Sequence, residues 1–131
     1  MKLFPVVMLW LGALAFAAFG VQWLMNPTAM AVPLGITLTN GDATSDARAV
    51  YGGMELGLGV FLAYSALAAT RRTQGLAAAA LTLAGLGLSR LTGILLVGSA
   101  VAAGTWQLLG TDVVGTVLCT AAFFVSRTND R

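Results

Sequence analysis

Ala47–Gly59 reads ARAVYGGMELGLG, and how these thirteen residues are read decides the fold. They hold an arginine, a tyrosine and a glutamate in a chain that avoids charge almost everywhere else. Of its 131 residues 58% are hydrophobic and 9% charged, against roughly 25% charged in a typical globular domain. Seven basic and five acidic residues cannot clothe a soluble protein of this size. Lipid must replace the missing polar surface, so the stretch is the opening half of a membrane-spanning helix and the protein is an integral membrane protein.

Working outward, four apolar runs are expected as transmembrane helices: 3–25, 47–70, 76–97 and 106–125. Each has about the 20 residues that span a hydrocarbon core of about 30 Å. They are too long and too continuous for barrel strands. The first run has a signal-peptide look, with Lys2 ahead of it and AFA before Ala18, yet its apolar stretch continues through Trp23 and Met25. That exceeds an ordinary signal core, so a retained helix is expected. The whole of 1–131 then forms one domain, an all-α up-down bundle of four transmembrane helices.

Orientation follows from the basic residues. Lys2, Arg71, Arg72, Arg127 and Arg131 fall on one side of a chain that crosses four times, whereas Asp42, Asp46 and Arg48 fall on the other. Both termini are therefore expected in the cytoplasm. So strong a bias argues against a dual-topology exporter, which needs balanced flanks. Residues 71–75 are expected as a tight turn and 98–105 as a short uncharged one. The outer loop, 26–46, is long for so small a protein, which marks it as functional or as a lid. Within it Asn26 and Pro27 resemble a helix start, and Asn40–Gly41 a turn.

The intramembrane ionisable residues share one depth. At 1.5 Å per residue, Glu55 lies about 12 Å below the outer surface, Arg90 about 10 Å and Asp112 about 9 Å. Gln22 lies near the outer end of the first helix. Arg48, Tyr51 and Glu55 are spaced i, i+3, i+7 and so share a stripe of an α-helix. Gly85, Ser89 and Gly93 beside Arg90, and Gly115 and Cys119 following Asp112, form small-residue stripes that let helices approach closely in lipid. An unpaired charge at this depth costs about 2–3 kcal/mol or more. Arg90 should therefore pair with Glu55 or Asp112. The expected site is a buried, net-neutral cluster of Arg48, Tyr51, Glu55, Arg90, Asp112 and Gln22, opening outward beneath the loop. Such a cluster is either structural glue between helices, a ligand or ion site, or a subunit interface. Trp23 and Trp106 are expected as boundary aromatics.

Other chemistry is narrowed by composition. With no histidine, imidazole-bound haem, histidine-bound zinc and histidine acid–base catalysis are excluded. Cys119 is the lone cysteine and reads as a packing residue. A net charge of +2, thinly scattered, leaves no nucleic-acid footprint. The glycine-rich stretches lie in lipid and are not nucleotide loops.

The R-A-x-Y-G-G entry at Arg48–Gly53, the S-R-x-x-G of Ser89, Arg90 and Gly93, and an acid early in the last run, Asp112, together resemble a small bacterial membrane family of unknown function, domain-of-unknown-function family 4345. The likeness covers nearly the whole chain and places it in the DoxX/DoxD-like group of four-helix proteins. In that pattern the last acid is more often glutamate; here it is one methylene shorter. The resemblance implies an up-down bundle in the bacterial inner membrane and no established activity. More distant DoxD-like proteins are similar to membrane subunits of thiosulfate:quinone oxidoreductases.

Three functions follow as expectations. The favoured one is a non-catalytic accessory subunit or binder of a lipophilic ligand, in which the cluster holds a lipid headgroup, a quinone or a partner helix, with a membrane-protein partner or a second copy as companion. The next is a quinone-interacting subunit of a redox complex, with Arg90 and Tyr51 on the ring and Glu55 exchanging protons. The last is a proton-coupled small transporter using Glu55 and Asp112, for which the apolar inner halves offer no through-path. No nucleophile–base pair, metal site or resident cofactor motif is visible, so catalysis by this chain alone is not expected.

Overall fold

The computed structural model describes residues 3–98 and 101–129. Lys2 and Arg131, two of the residues behind the expected orientation, lie outside them. The described chain is all-α: α1 (Leu3–Met25), α2 (Pro27–Ala31), a 3-10 turn (Val32–Leu34), α3 (Gly41–Ala47), a π-helical segment (Arg48–Met54), α4 (Glu55–Ala66), α5 (Ala69–Val97) and α6 (Ala103–Asn129). Three helices, α1, α5 and α6, are long and apolar enough to cross a membrane. Leucines and valines such as Leu14, Leu81, Leu95 and Val117 cover their outer faces, the surface lipid demands.

The expected second span is helical but not one α-helix. Residues 41–66 run through α3, the π segment and α4 without leaving helical backbone. A π turn closes i→i+5 bonds and so holds more residues than an α turn. The sequence permits it because Gly52 and Gly53 favour the α-helix only weakly, so the tighter α turn is given up there at little cost. The expected turn at 71–75 is also shifted. The chain breaks at Leu67–Ala68, where Ala68 is extended (φ −134°, ψ 132°), and Arg71 and Arg72 lie inside α5. Arg71 is held there by Tyr64, whose hydroxyl accepts from Nη1 at 2.7 Å while the guanidinium sits 3.8 Å from the ring centre. The last helix likewise outruns the expected 106–125 at both ends.

Packing is by antiparallel pairs. A Cβ at Gly20 would stand 2.7 Å from the Gly52 carbonyl oxygen, and one at Gly59 would stand 2.8 Å from the Ala17 nitrogen. Numbers rise on one helix as they fall on the other, and only glycine lets the two backbones come this close. On α5 and α6, Gly87 faces Asp112, Leu83 faces Gly115, and the Thr73 and Ser126 hydroxyls lie 3.1 Å apart. The expected stripe of Gly85, Ser89 and Gly93 is exposed instead, with nothing within 4 Å of either glycine's Cβ position; the neighbouring face, through Gly87, does the packing.

Two apolar clusters result. One joins Leu9, Ala13, Phe16, Leu62, Ala66, Leu76, Ala79, Cys119 and Ala122 across the long helices. The other gathers the loop of residues 26–46 onto α1: Trp23, Ala31 and Ala47, packed against by Phe19, Met30, Leu34, Ile36 and Leu38. Trp23 is therefore fully buried and not a boundary residue. It stacks on Tyr51 with ring centres 4.7 Å apart, because the loop folds back over it. Trp106 stays 47% exposed. The loop's own helices use its capping residues unevenly. The Asn40 side chain accepts from the Ala43 amide at 2.8 Å, whereas Asn26 holds the N-cap position of α2 without a side-chain bond.

Candidate functional site

The α1–α4 and α5–α6 pairs meet loosely, and a cavity of about 580 Å³ lies between them. This falls within the roughly 300–1,000 Å³ usual for small-molecule sites. Most of its wall is apolar: Met8, Leu11, Ala15 and Phe16 from α1, Leu83 and Leu86 from α5, Leu118 and Cys119 from α6. Tyr51, Glu55, Arg90 and Asp112, with Thr105 and Thr111, converge at the end nearer the loop of residues 26–46. Leu34 and Ile36 of the loop line that end too. The wall formed by α1 runs from Met8 to Phe19, about 16 Å of helix at 1.5 Å per residue. The cavity is thus long, apolar for most of its length and polar at one tip.

Arg90 donates from Nε to Asp112 Oδ2 at 3.0 Å, so the shorter acid still reaches its arginine directly. Gly87 sets this up: a Cβ there would stand 3.3 Å from the Asp112 Cβ, so its absence lets α6 bring the carboxylate in close. The Arg90 side chain is 24% exposed and that of Asp112 7%. Glu55 is 6% exposed. Among the described residues Glu55 has no hydrogen-bond or ion-pair partner.

Of the six expected site residues, the structure brings Tyr51, Glu55, Arg90 and Asp112 to one cavity and leaves two outside. Arg48 donates from Nε to the Leu24 carbonyl at 3.1 Å, in the last turn of α1, where carbonyls lack an intrahelical partner and a cation suits the helix dipole. The π segment is the reason: its wider turns rotate Arg48 off the stripe that α spacing assigns to it. Gln22 is exposed and does not line the cavity; it shares the α1 face of Ala15 and Phe19 but stands one turn beyond Phe19, the last α1 residue on the wall. The cluster is accordingly one arginine against two acids, not the balanced set expected from the sequence.

Reasoning from sequence overlooked Thr105 and Leu108, which line the cavity from α6. They stand seven and four residues before Asp112, so carrying the Asp112–Gly115–Cys119 stripe back two turns reaches them. It also overlooked how the loop closes the site. Alternating apolar residues Val32, Leu34, Ile36 and Leu38 were the available signal.

Set beside known proteins, residues 6–123 match the sequence profile of the domain of unknown function DUF4345. The chain belongs to the DUF4345 family. The match takes in both motifs of the expected resemblance, Arg48–Gly53 and Ser89–Gly93, and every residue at the polar tip. No curated protein and no solved structure matches the chain.

Proposed function

We propose that this DUF4345 protein is a non-catalytic membrane protein that holds one lipophilic molecule, its chain along α1 and its head group at Tyr51, Glu55, Arg90 and Asp112. The carrying observation is the shape of the cavity: a long apolar wall ending in a few convergent polar groups, the usual build of a site for an amphiphile. Leu11 and Leu118, on its wall, are 55% and 40% exposed, which suits sideways entry from the bilayer. In this reading residues 41–66 form a fourth transmembrane helix, both termini are cytoplasmic, and the protein resides in a bacterial inner membrane as a DoxX/DoxD-like bundle. Arg71, Arg72 and Arg127 at one end and Asp42 and Asp46 at the other support that sidedness.

A second reading, a quinone-interacting subunit of a redox complex, draws on one specific feature. Tyr51 and Arg90, both donors, line the same cavity as Glu55, as a ring with two carbonyl oxygens and an exchangeable proton would need. It requires an electron-carrying partner protein. A proton-coupled transporter is less well supported, because the apolar cluster around Leu9, Leu62 and Leu76 lies between the polar tip and the far end.

Native mass spectrometry of protein gently extracted from its own membrane tests the proposal. A discrete small mass should accompany the wild type and be lost in Ala15→Trp, which fills the apolar wall, and in Arg90→Ala. A bare chain in every case would overturn ligand binding; a co-purifying protein in place of the small mass would make it an accessory subunit.

A further inference from the structure

We propose that the head group taken at the polar tip is a hydrogen-bond donor that carries no negative charge, such as the ammonium of a long-chain amine or the hydroxyl of a long-chain alcohol or quinol. This deepens the ligand-binding reading and rests on it.

The charge count at the tip is asymmetric. Arg90 is committed to Asp112 at 3.0 Å. Arg48, the other arginine of the outer half, is tied to the Leu24 carbonyl at 3.1 Å and does not line the cavity. That leaves Glu55 as an acid 6% exposed, on the cavity wall and without a partner among the described residues. A buried acceptor left unmade is costly, and a donor supplied by the ligand removes that cost. A carboxylate or phosphate head would do the reverse. It would bring a third acidic group beside Glu55 and Asp112 with a single guanidinium to serve all of them. The first turn of α6, a place that favours an anion, has a carbonyl against it and one of its amides already bonded. The Thr105 amide donates to the Ala102 carbonyl at 2.9 Å, and the Pro33 carbonyl oxygen would lie 2.7 Å from a Cβ at Gly104.

Three probes sharing one chain separate the chemistries: dodecylamine, dodecanol and dodecanoate, each displacing a fluorescent alkyl probe from the full-length protein in phosphatidylcholine nanodiscs. Displacement from Ala15→Trp serves as the measure of partition into lipid alone. The amine and the alcohol should displace the probe, and dodecanoate should need at least about tenfold higher concentration. In Glu55→Gln, dodecanoate should come within about threefold of dodecanol, because an amide that can donate a hydrogen bond replaces the acid. Dodecanoate binding as tightly as the other two in the wild type would overturn the assignment of the head group while leaving the cavity a ligand site. Equal displacement of all three from wild type and Ala15→Trp would overturn the ligand site itself. The ranking in the wild type stands as a test even where Glu55→Gln fails to fold.

Discussion

At the scale of single residues, the chemistry rests on which charges meet. Asp112→Asn leaves Arg90 half-buried without its counter-charge and should cost about 1–3 kcal/mol, read as a lowered unfolding midpoint in detergent. Asp112→Glu, which keeps the charge, should recover most of it; equal loss in both would show that the pair contributes through packing and not through charge. Arg48→Ala removes one helix-terminal bond and should cost about 0.5–1.5 kcal/mol without changing what the cavity holds. A loss of bound ligand on that substitution, measured by native mass, would return Arg48 to the site. The pairing of Arg90 with an acid was legible in the sequence because depth follows from counting residues, and an unpaired arginine at that depth is costly in lipid. Arg48 was misplaced because its i, i+3, i+7 spacing with Tyr51 and Glu55 makes a stripe only in an α-helix, and this stretch is a π segment.

At the scale of elements, glycines decide which faces touch. Gly59→Ala places a methyl 2.8 Å from the Ala17 backbone nitrogen and should destabilise the α1–α4 pair by about 1–3 kcal/mol. Gly93→Ala meets nothing within 4 Å and should be neutral, or stabilise by up to about 1 kcal/mol through helix propensity. Comparing the two thermal midpoints checks the packing; equal effects would contradict it. The lid has its own test. Gly104→Val drives a side chain into the Pro33 carbonyl, within 2.7 Å of that position, and should lift the loop, quickening proteolysis between Val32 and Leu38 with α5 and α6 intact. Unchanged cleavage would mean that the loop is held by the Trp23 cluster alone. Helix α1 was legible from residue 3 to Met25, since its apolar run outlasts a signal core and has the length of a spanning helix. The start of α5 was not: Arg71 and Arg72 look like a loop until the contact with Tyr64 is known, and the exposed Gly85–Ser89–Gly93 spacing is indistinguishable in sequence from the buried face beside it.

At the scale of the whole molecule, the pairing of antiparallel helices leaves a cleft, and the loop of residues 26–46 covers its polar tip. The all-α character and the helices long and apolar enough to cross a membrane were plain from the composition and the apolar runs. The cavity was beyond it, since a cleft is set by how loosely the α1–α4 and α5–α6 pairs meet, and no single helix encodes that. If residues 41–66 cross the bilayer, a cysteine at Asp42 should react with an impermeant maleimide from outside and one at Thr128 only after the cytoplasmic face is opened, both in a Cys119→Ala background. Equal outside labelling would reverse or break the four-span topology. The most direct test of ligand binding itself is photo-crosslinking in intact cells from benzoylphenylalanine at Leu118, on the cavity wall, and at Leu95, on the outer face and 75% exposed. A cavity that holds its own molecule should give one discrete adduct mass at Leu118 and the mixed masses of bulk phospholipid at Leu95. The same phospholipid mixture at both positions would contradict it.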